Sequence, residues 1–528
     1  MNARIIKETR SVLPVLGVTM LASVAPRLIW DRDVAGGAGL AFFALCCVMM
    51  GAACFGNEYQ WRTMPLLLAQ PVPRRKIWHE KMFILAVALA LGLAFFLLCV
   101  PVDKDSYPFL VLVPFCVFAV APYMALRVQN TFLAAVLTFG MPYGICGLLA
   151  LMWWIFAWFF PEPGRALDES IQQHANGYAM VATTIYCGIC YWLGYRAFLR
   201  LEAVPPQSKE LKLPGGIEAA LAGRLNRLMP GYRGPWTSLL RKELRIQKYA
   251  FVFAAIMGFS SLLIALVRDL DRSADHAEFL TAMTIMPIVV LAFVIPFITS
   301  GGCVAEERNW GVSTWQRALP VSSRKQWTAK MAVVIFTCVL LGIVLPLGLW
   351  VAYGWVFHLP TGPGPIHWDQ FKMPTSTELY WITLAGMTWV LGYLLWLSLG
   401  VFVSSLCANS AKAVILNLGL LAGGAGLVVG TISWIIRVLD ISPSAEHGAE
   451  LIFSILAVYF TGLLGLTQFL AYRNHRRGEP DTRRVWAQLV TVTGAIVAGA
   501  ALGFVLWWDY SVVPPALPPA VQTHISRH

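Results

Sequence analysis

Runs of about twenty apolar residues, each closed by a short polar segment, recur along most of this chain. A helix of roughly 20 residues crosses the ~30 Å hydrocarbon core of a bilayer and satisfies its backbone hydrogen bonds internally. A first set of runs lies at about 11–30, 34–56, 83–102, 108–126, 131–160 and 179–199. A second set lies at about 249–267, 280–303, 332–353, 380–406, 413–437 and 451–471, and one more at about 485–508. Only 13% of the 528 residues are charged, against about 25% in soluble domains. The expectation is an all-α integral membrane protein with tandem six-helix halves and one extra C-terminal span, about 13 transmembrane helices in all. The run from Ser11 lacks a small-residue cleavage site and is followed by a second span, so it reads as a retained helix. The run at 131–160 is too long for one straight span and is expected to tilt, to kink at Pro142 or to surface near Trp154.

Charge sets the orientation. With these spans, 31 Lys/Arg fall on one side of the membrane and 9 on the other. The positive-inside rule then puts the N-terminus in the cytosol, and an odd number of spans puts the C-terminus outside. The net charge of +12 does not indicate nucleic acid, because the basic loops are short and interrupted by membrane. The 11 cysteines fall within apolar runs or at their cytosolic ends, so no disulfide framework is expected. Cys187 and Cys190 form a CxxC inside a span and read as small packing residues.

Two loops are copies of each other. The 26 residues from Asn57 and the 26 from Glu306 align without a gap at an offset of 249, with ten identities. Among these are Glu58/Glu307, Trp61/Trp310, Pro71/Pro320, Arg75/Arg324, Lys76/Lys325, Trp78/Trp327 and Lys81/Lys330. Both loops lie between the second and third spans of a set. A second echo precedes each set: Lys7-Glu8-x-Arg10 and Lys242-Glu243-x-Arg245, at an offset of 235. Each is expected to be a short amphipathic helix on the cytosolic surface, with its basic face toward membrane lipid phosphates. The duplication divides the chain into a half at 1–199, a basic linker with the second surface helix at 200–248, a half at 249–472, and a basic loop, extra span and Pro-rich tail at 473–528.

These motifs resemble the permease subunit of type-2 ABC exporters, the ABC-2 transporter superfamily. The residues that carry the resemblance are LLRKELR before a first span, then E-x-x-W and L-PVSSRKQW-x-x-K after a second span. It covers about residues 1–472. It implies two fused six-span halves, each with a coupling helix between its second and third spans that docks on an ATPase. By resemblance the ATPase-coupling residues are Glu58, Trp61, Arg75, Lys76, Lys81, Glu307, Trp310, Arg324, Lys325 and Lys330. Where the family often has Gly-Thr after the Glu, this chain has Arg62-Thr63 and Gly311-Val312. No GxxxxGK[ST] phosphate loop occurs, so ATP and Mg are expected on a separate ABC ATPase, in two copies, with no cofactor on this chain. The implied activity is export of a substrate from the cytoplasm across a bacterial cytoplasmic membrane.

Other features are weaker. Asn417, Thr431, Thr467 and Gln468 are neutral, and no carboxylate lies deep in a span to serve a proton or sodium relay. That counts against the alternative of a secondary transporter or channel, and favours a bulky, apolar or amphipathic substrate. A membrane-embedded enzyme would need paired carboxylates or histidines at an interface; no such constellation stands out, and no catalytic residue is assigned. The segments 161–178 and 355–379 are the longest and least basic on the outer side and are expected as outer loops, re-entrant turns or a lid. In the second, His358 and His367 flank TGPGP but lack further ligands at metal-binding spacing. Asn130 and Asn409 stand at matching turns between the fourth and fifth spans and are expected to cap helices.

Overall fold

The computed structural model describes residues 3–29, 32–61, 63–100, 107–159, 161–201, 235–270, 277–309, 311, 321–355, 376–410, 412–421, 449–477 and 481–512. Most of the linker, the TGPGP segment with His358 and His367, Thr431, Trp310 and the Pro-rich tail lie outside those residues.

The first part of the chain forms α1 (Ala3–Ile29), α2 (Arg32–Gln60), a short α3 (Met64–Leu68), α4 (Arg74–Cys99), α5 (Tyr107–Val128), α6 (Thr131–Phe159) and α7 (Pro161–Leu199). The second part begins with α8 (Pro235–Ile246), α9 (Lys248–Leu270), α10 (Ala277–Cys303) and a short α11 (Ala305–Asn309). It continues through α12 (Ser323–Val339), a π-helical turn (Leu340–Val344) and α13 (Leu345–Trp355). α14 (Ser376–Leu406), α15 (Lys412–Leu421), α16 (Ala449–Arg477) and α17 (Thr482–Val512) complete it. No strand occurs among the described residues. Six segments among them are long and apolar enough to cross a membrane: Phe42–Gln60, Arg74–Cys99, Leu110–Val128, Lys248–Leu266, Thr284–Arg308 and Ser323–Tyr353.

One alternative is narrowed and two expectations change. α6 is one 29-residue helix that continues through Pro142 and past Trp154 rather than surfacing there. At 1.5 Å per residue it is about 43 Å long, enough to reach both headgroup layers when tilted, and a proline is tolerated in a packed membrane helix. Residues 161–178, expected as an outer loop, are the first half of α7. Pro161 suits a first helical position and Glu162 suits the positive end of the helix dipole, so this polar stretch starts a helix. The Lys7-Glu8-x-Arg10 segment is not a separate surface helix but belongs to α1, which continues through Pro14 into the apolar run. Only the second copy is separate, as α8, which a turn at Gln247 divides from α9.

The π turn has a local cause. Pro346 lacks an N–H, so the regular bond to the preceding turn cannot form, and the helix widens just before it. The Tyr393 hydroxyl lies where a side chain on Gly342 would stand.

Helix contacts recur in pairs. α2 meets α5 at Gly51, where an added Cβ would stand 2.7 Å from the Ala121 Cβ. α10 meets α14 at Gly400, where an added Cβ would stand 2.5 Å from the Ser300 Cβ. Ser300 is 249 residues beyond Gly51, and Gly400 is 279 beyond Ala121, the spacing that also relates Asn130 to Asn409. The close approach is thus made twice, with the glycine on opposite helices. Between the two parts, Gly140 of α6 lies against Phe253 of α9 (3.4 Å from a built Cβ), and Gly419 of α15 lies against Val18 of α1 (3.1 Å). These pairs correspond at the same two offsets, 279 and 235, so each part lays its fifth apolar helix on the first helix of the other.

α17 docks on α16. The side-chain amides of Asn474 and Gln488 exchange hydrogen bonds of 2.8 and 3.1 Å, and the Tyr459 hydroxyl donates to the Ile496 carbonyl at 2.9 Å. The Tyr459 ring leaves no room for a side chain at Gly499.

Candidate functional site

The repeated loops enclose two matching ionic clusters. In the first, the Lys81 ammonium of α4 is 2% exposed. It donates to Glu8 Oε2 of α1 at 2.6 Å, to Glu58 Oε1 of α2 at 3.2 Å and to the Cys54 carbonyl at 3.2 Å. Lys7 donates to the same Glu58 oxygen at 3.0 Å, and the Thr63 hydroxyl donates to the other. In the second, the Lys330 ammonium of α12 is fully buried. It donates to Glu243 Oε2 of α8 at 2.8 Å and to the Cys303 carbonyl at 3.0 Å, and pairs with Glu307 Oε1 of α11 at 2.7 Å. Lys242 donates to that Glu307 oxygen at 2.6 Å.

The correspondence is atom for atom: lysine, two glutamates, one cysteine carbonyl and a second lysine, at offsets of 235 and 249. An ammonium has three N–H donors, and each buried lysine meets three acceptors. Each cluster holds two positive and two negative side chains and is neutral. A buried charge persists only when paired and hydrogen-bonded in this way. The effect is to clamp the leading segment (the start of α1, or the separate α8), the segment that closes the second span (the end of α2, or α11) and the start of the third span (α4, or α12) into one unit in each part.

The tryptophans fasten the loops on another side. Trp78 is buried against Phe55, with ring centroids 5.1 Å apart, and its indole N–H donates to the Tyr191 hydroxyl of α7 at 3.3 Å. Trp327 lies 5.5 Å from His475 and 6.1 Å from Tyr472, both on α16. Each loop is therefore bound to the sixth helix of its own part. His475 lies beyond the apolar part of α16, where burial, then the nearby Lys330 ammonium, pushes its pKa down to about 4.

The basic pairs face outward. Arg75 and Lys76 are exposed in the first turn of α4, and Arg324 and Lys325 are exposed in the first turn of α12. Cations at the positive end of a helix dipole are disfavoured, by roughly 0.3–1 kcal/mol each. Intrahelical stability therefore does not explain them, and a negatively charged external surface would. Arg74 is different: its guanidinium donates to the Leu199 carbonyl at 2.7 Å and caps the end of α7. Arg10 and Arg245 are also exposed, and Trp61 is 59% exposed beneath the Lys412 ammonium, 4.4 Å from its ring centroid. α11 closes at Gly311, whose φ of 70° lies in the left-handed region that glycine adopts freely.

The sequence-derived set thus divides. Glu8, Glu58, Lys81, Glu243, Glu307 and Lys330 point inward and brace the loops, with Lys7 and Lys242 beside them. Arg75, Lys76, Arg324 and Lys325 point away from the protein. Extending the repeat by three residues upstream would have revealed Cys54/Cys303. Glu306 could not have been found that way, since its counterpart is Asn57. Glu306 accepts from Asn130 at 3.2 Å and from Ser410 at 2.6 Å. Asn130 and Asn409 cap the helices that follow, accepting from Leu133 N at 3.0 Å and Lys412 N at 2.8 Å. One carboxylate therefore ties together the starts of α6 and α15, the two helices that cross between the parts.

Residues 270–508 match the family model described as ABC-2 family transporter protein. Over these residues the chain is similar to ABC-2 transporters. The permease match includes Glu306, Glu307, Arg324, Lys325, Lys330 and His475, so the second cluster lies wholly within it except for Lys242 and Glu243. Members of that family are membrane transport subunits. No curated protein and no solved structure matches the chain.

Proposed function

We propose that this chain is the membrane-spanning permease of an ATP-driven exporter, with two fused six-span halves and a thirteenth span docked on the second. The halves are 1–199 and 249–472, joined by a basic linker at 200–248 and followed by the extra helix region at 473–528. ATP and Mg act on a separate ATPase, present as two subunits or a dimer, that binds the loops 57–82 and 306–331 from the cytosol. The observation that carries this reading is the duplicated ionic cluster. Two identical clamps under two copies of one loop are what two equivalent docking points require. The reciprocal contacts of α6 with α9 and of α15 with α1 support a substrate path between the halves.

In this reading Arg75, Lys76, Arg324 and Lys325 meet acidic groups of the ATPase. Glu8, Glu58, Lys81 and their counterparts make each loop a stiff lever, so that closure of the ATPase moves three helices of a half together. The N-terminus is cytosolic and the C-terminus external, in a bacterial cytoplasmic membrane, and substrate leaves the cell. The test is to co-express the permease with its candidate ATPase and to reconstitute the complex with and without Arg75→Glu and Arg324→Glu together. The expected result is a folded permease whose loss of ATPase binding or transport is at least about tenfold, since each desolvated charge contact contributes on the order of 1.5 kcal/mol or more. Unchanged binding and transport in the double variant would remove these residues from the interface.

A further inference from the structure

A groove of about 830 Å³ runs between α1 and α4 on the outside of the first half. One wall is formed by Ile5, Thr9, Leu13 and Leu16, and the other by Lys76, His79, Phe83 and Val87, down to Leu91. These positions recur every three or four residues, so each helix presents one continuous stripe. The groove does not face the protein core. Only 33% of the α4 span is buried, against 72% for the α2 span, so α4 lies at the perimeter. Leu13, Phe83 and Leu91 are 60, 70 and 50% exposed, as suits side chains that meet lipid tails.

The two ends of the groove differ in chemistry. Its mouth carries Arg75, Lys76 and His79, with Glu80 as the single acid. Below Phe83 the lining is aliphatic. From Lys76 to Leu91 the helix rises about 22 Å, and from Phe83 to Leu91 about 12 Å. One leaflet of hydrocarbon is about 15 Å deep. The apolar section therefore matches a tail in the cytosolic leaflet, and the basic mouth stands at headgroup height. We propose that this groove holds one anionic phospholipid of the cytosolic leaflet, its tail against Leu13, Phe83, Val87 and Leu91 and its phosphate at Lys76 and His79. The other walls of the mouth are Ile5, Thr9 and Pro73, none of which competes for an anion.

The consequence is lipid-sensitive mechanics. The same helix carries Lys81 of the first clamp on its inward face, so the bound lipid packs along the back of the lever. Lys76 is also among the residues assigned to the ATPase, so the test uses the chain without an ATPase, where lipid is the only anion offered to it, and Arg75 is left intact. The chain alone, purified in mild detergent, is titrated with dioleoylphosphatidylglycerol or dioleoylphosphatidylcholine, and retained lipid is counted by native mass spectrometry. Retention of one phosphatidylglycerol per chain is expected, in preference to phosphatidylcholine. Lys76→Glu is expected to weaken that preference about fivefold or more, the effect of about one surface cation. Val87→Trp, which fills the groove from an exposed position, is expected to lower retention of both lipids at this site. Both side chains are solvent- or lipid-facing, so neither change threatens folding. Equal retention of the two lipids, or retention unaffected by both variants, would overturn the proposal. So would a stoichiometric apolar peptide or protein found in place of lipid.

Discussion

Replacing Lys330 by methionine keeps the unbranched side chain as far as Cε and removes its charge. The fully buried ammonium meets two carboxylates and one carbonyl within 3.0 Å. Without it, Glu243 and Glu307 share one cation, Lys242, and the pocket holds one net negative charge. Breaking a buried ion pair in this way costs about 3–5 kcal/mol, because the remaining charge is left without compensation. Glu243→Gln alone leaves the opposite imbalance and is expected to cost about 2–4 kcal/mol by the same argument. The two changes together leave Lys242 and Glu307 as a neutral pair 2.6 Å apart. The double variant is therefore expected to be about 2–3 kcal/mol more stable than the sum of the single losses predicts. The assay is equilibrium unfolding in mixed micelles with increasing sodium dodecyl sulfate, followed by circular dichroism. Lys81→Met with Glu8→Gln makes the same cycle in the first half and should agree within about 1 kcal/mol, since Lys81 meets the same three kinds of acceptor. A cost below about 1 kcal/mol for Lys330→Met, as for an exposed pair, or simple additivity in both cycles, would refute the clamp.

Two further outcomes follow from the packing. Gly400→Ala places a methyl group against Ser300 and is expected to lower stability by about 1–3 kcal/mol through overpacking. Adding Ser300→Gly recreates the Gly51/Ala121 arrangement of the first half and should restore most of that loss in the same unfolding assay; no rescue would mean that the two contacts are not equivalent. His475 in the folded chain takes up a proton only below about pH 4, whereas an exposed imidazole does so near 6.5. Between those values the unfolded chain binds more protons, so stability falls as the pH is lowered through that window, by up to about 3 kcal/mol. Comparing unfolding midpoints at pH 7 and pH 4.5 for wild type and His475→Gln checks this: an equal acid loss in both would assign it to other groups.

Much of the architecture was legible in the chain. Helix positions follow from apolar run length, because a bilayer leaves a backbone few ways to satisfy its hydrogen bonds. The repeated loops and the Lys-Glu-x-Arg segments follow from direct comparison of residues, and both proved to bound one site. The polarity of residues 161–178 suggests a loop, whereas a proline and an acid at their start favour the helix they form.

The division of labour within the motif was decided by tertiary structure alone. Arg75 and Lys81 are both basic residues of one helix, and nothing in the sequence tells which points outward. Their six-residue separation turns them about 120° apart around the helix, but only the positions of α1 and α2 show which of the two directions is buried. Glu8 lies 73 residues from Lys81, and Glu243 lies 87 from Lys330. Neither pairing is local, so no spacing rule announces it. The same holds for Glu306, which has no matching acid in the other half and acquires its role only where two parts of the chain meet. Hydrophobicity along a chain determines which segments enter the membrane. Which charges are then sheltered, and which are left to meet a partner, depends on how those segments pack.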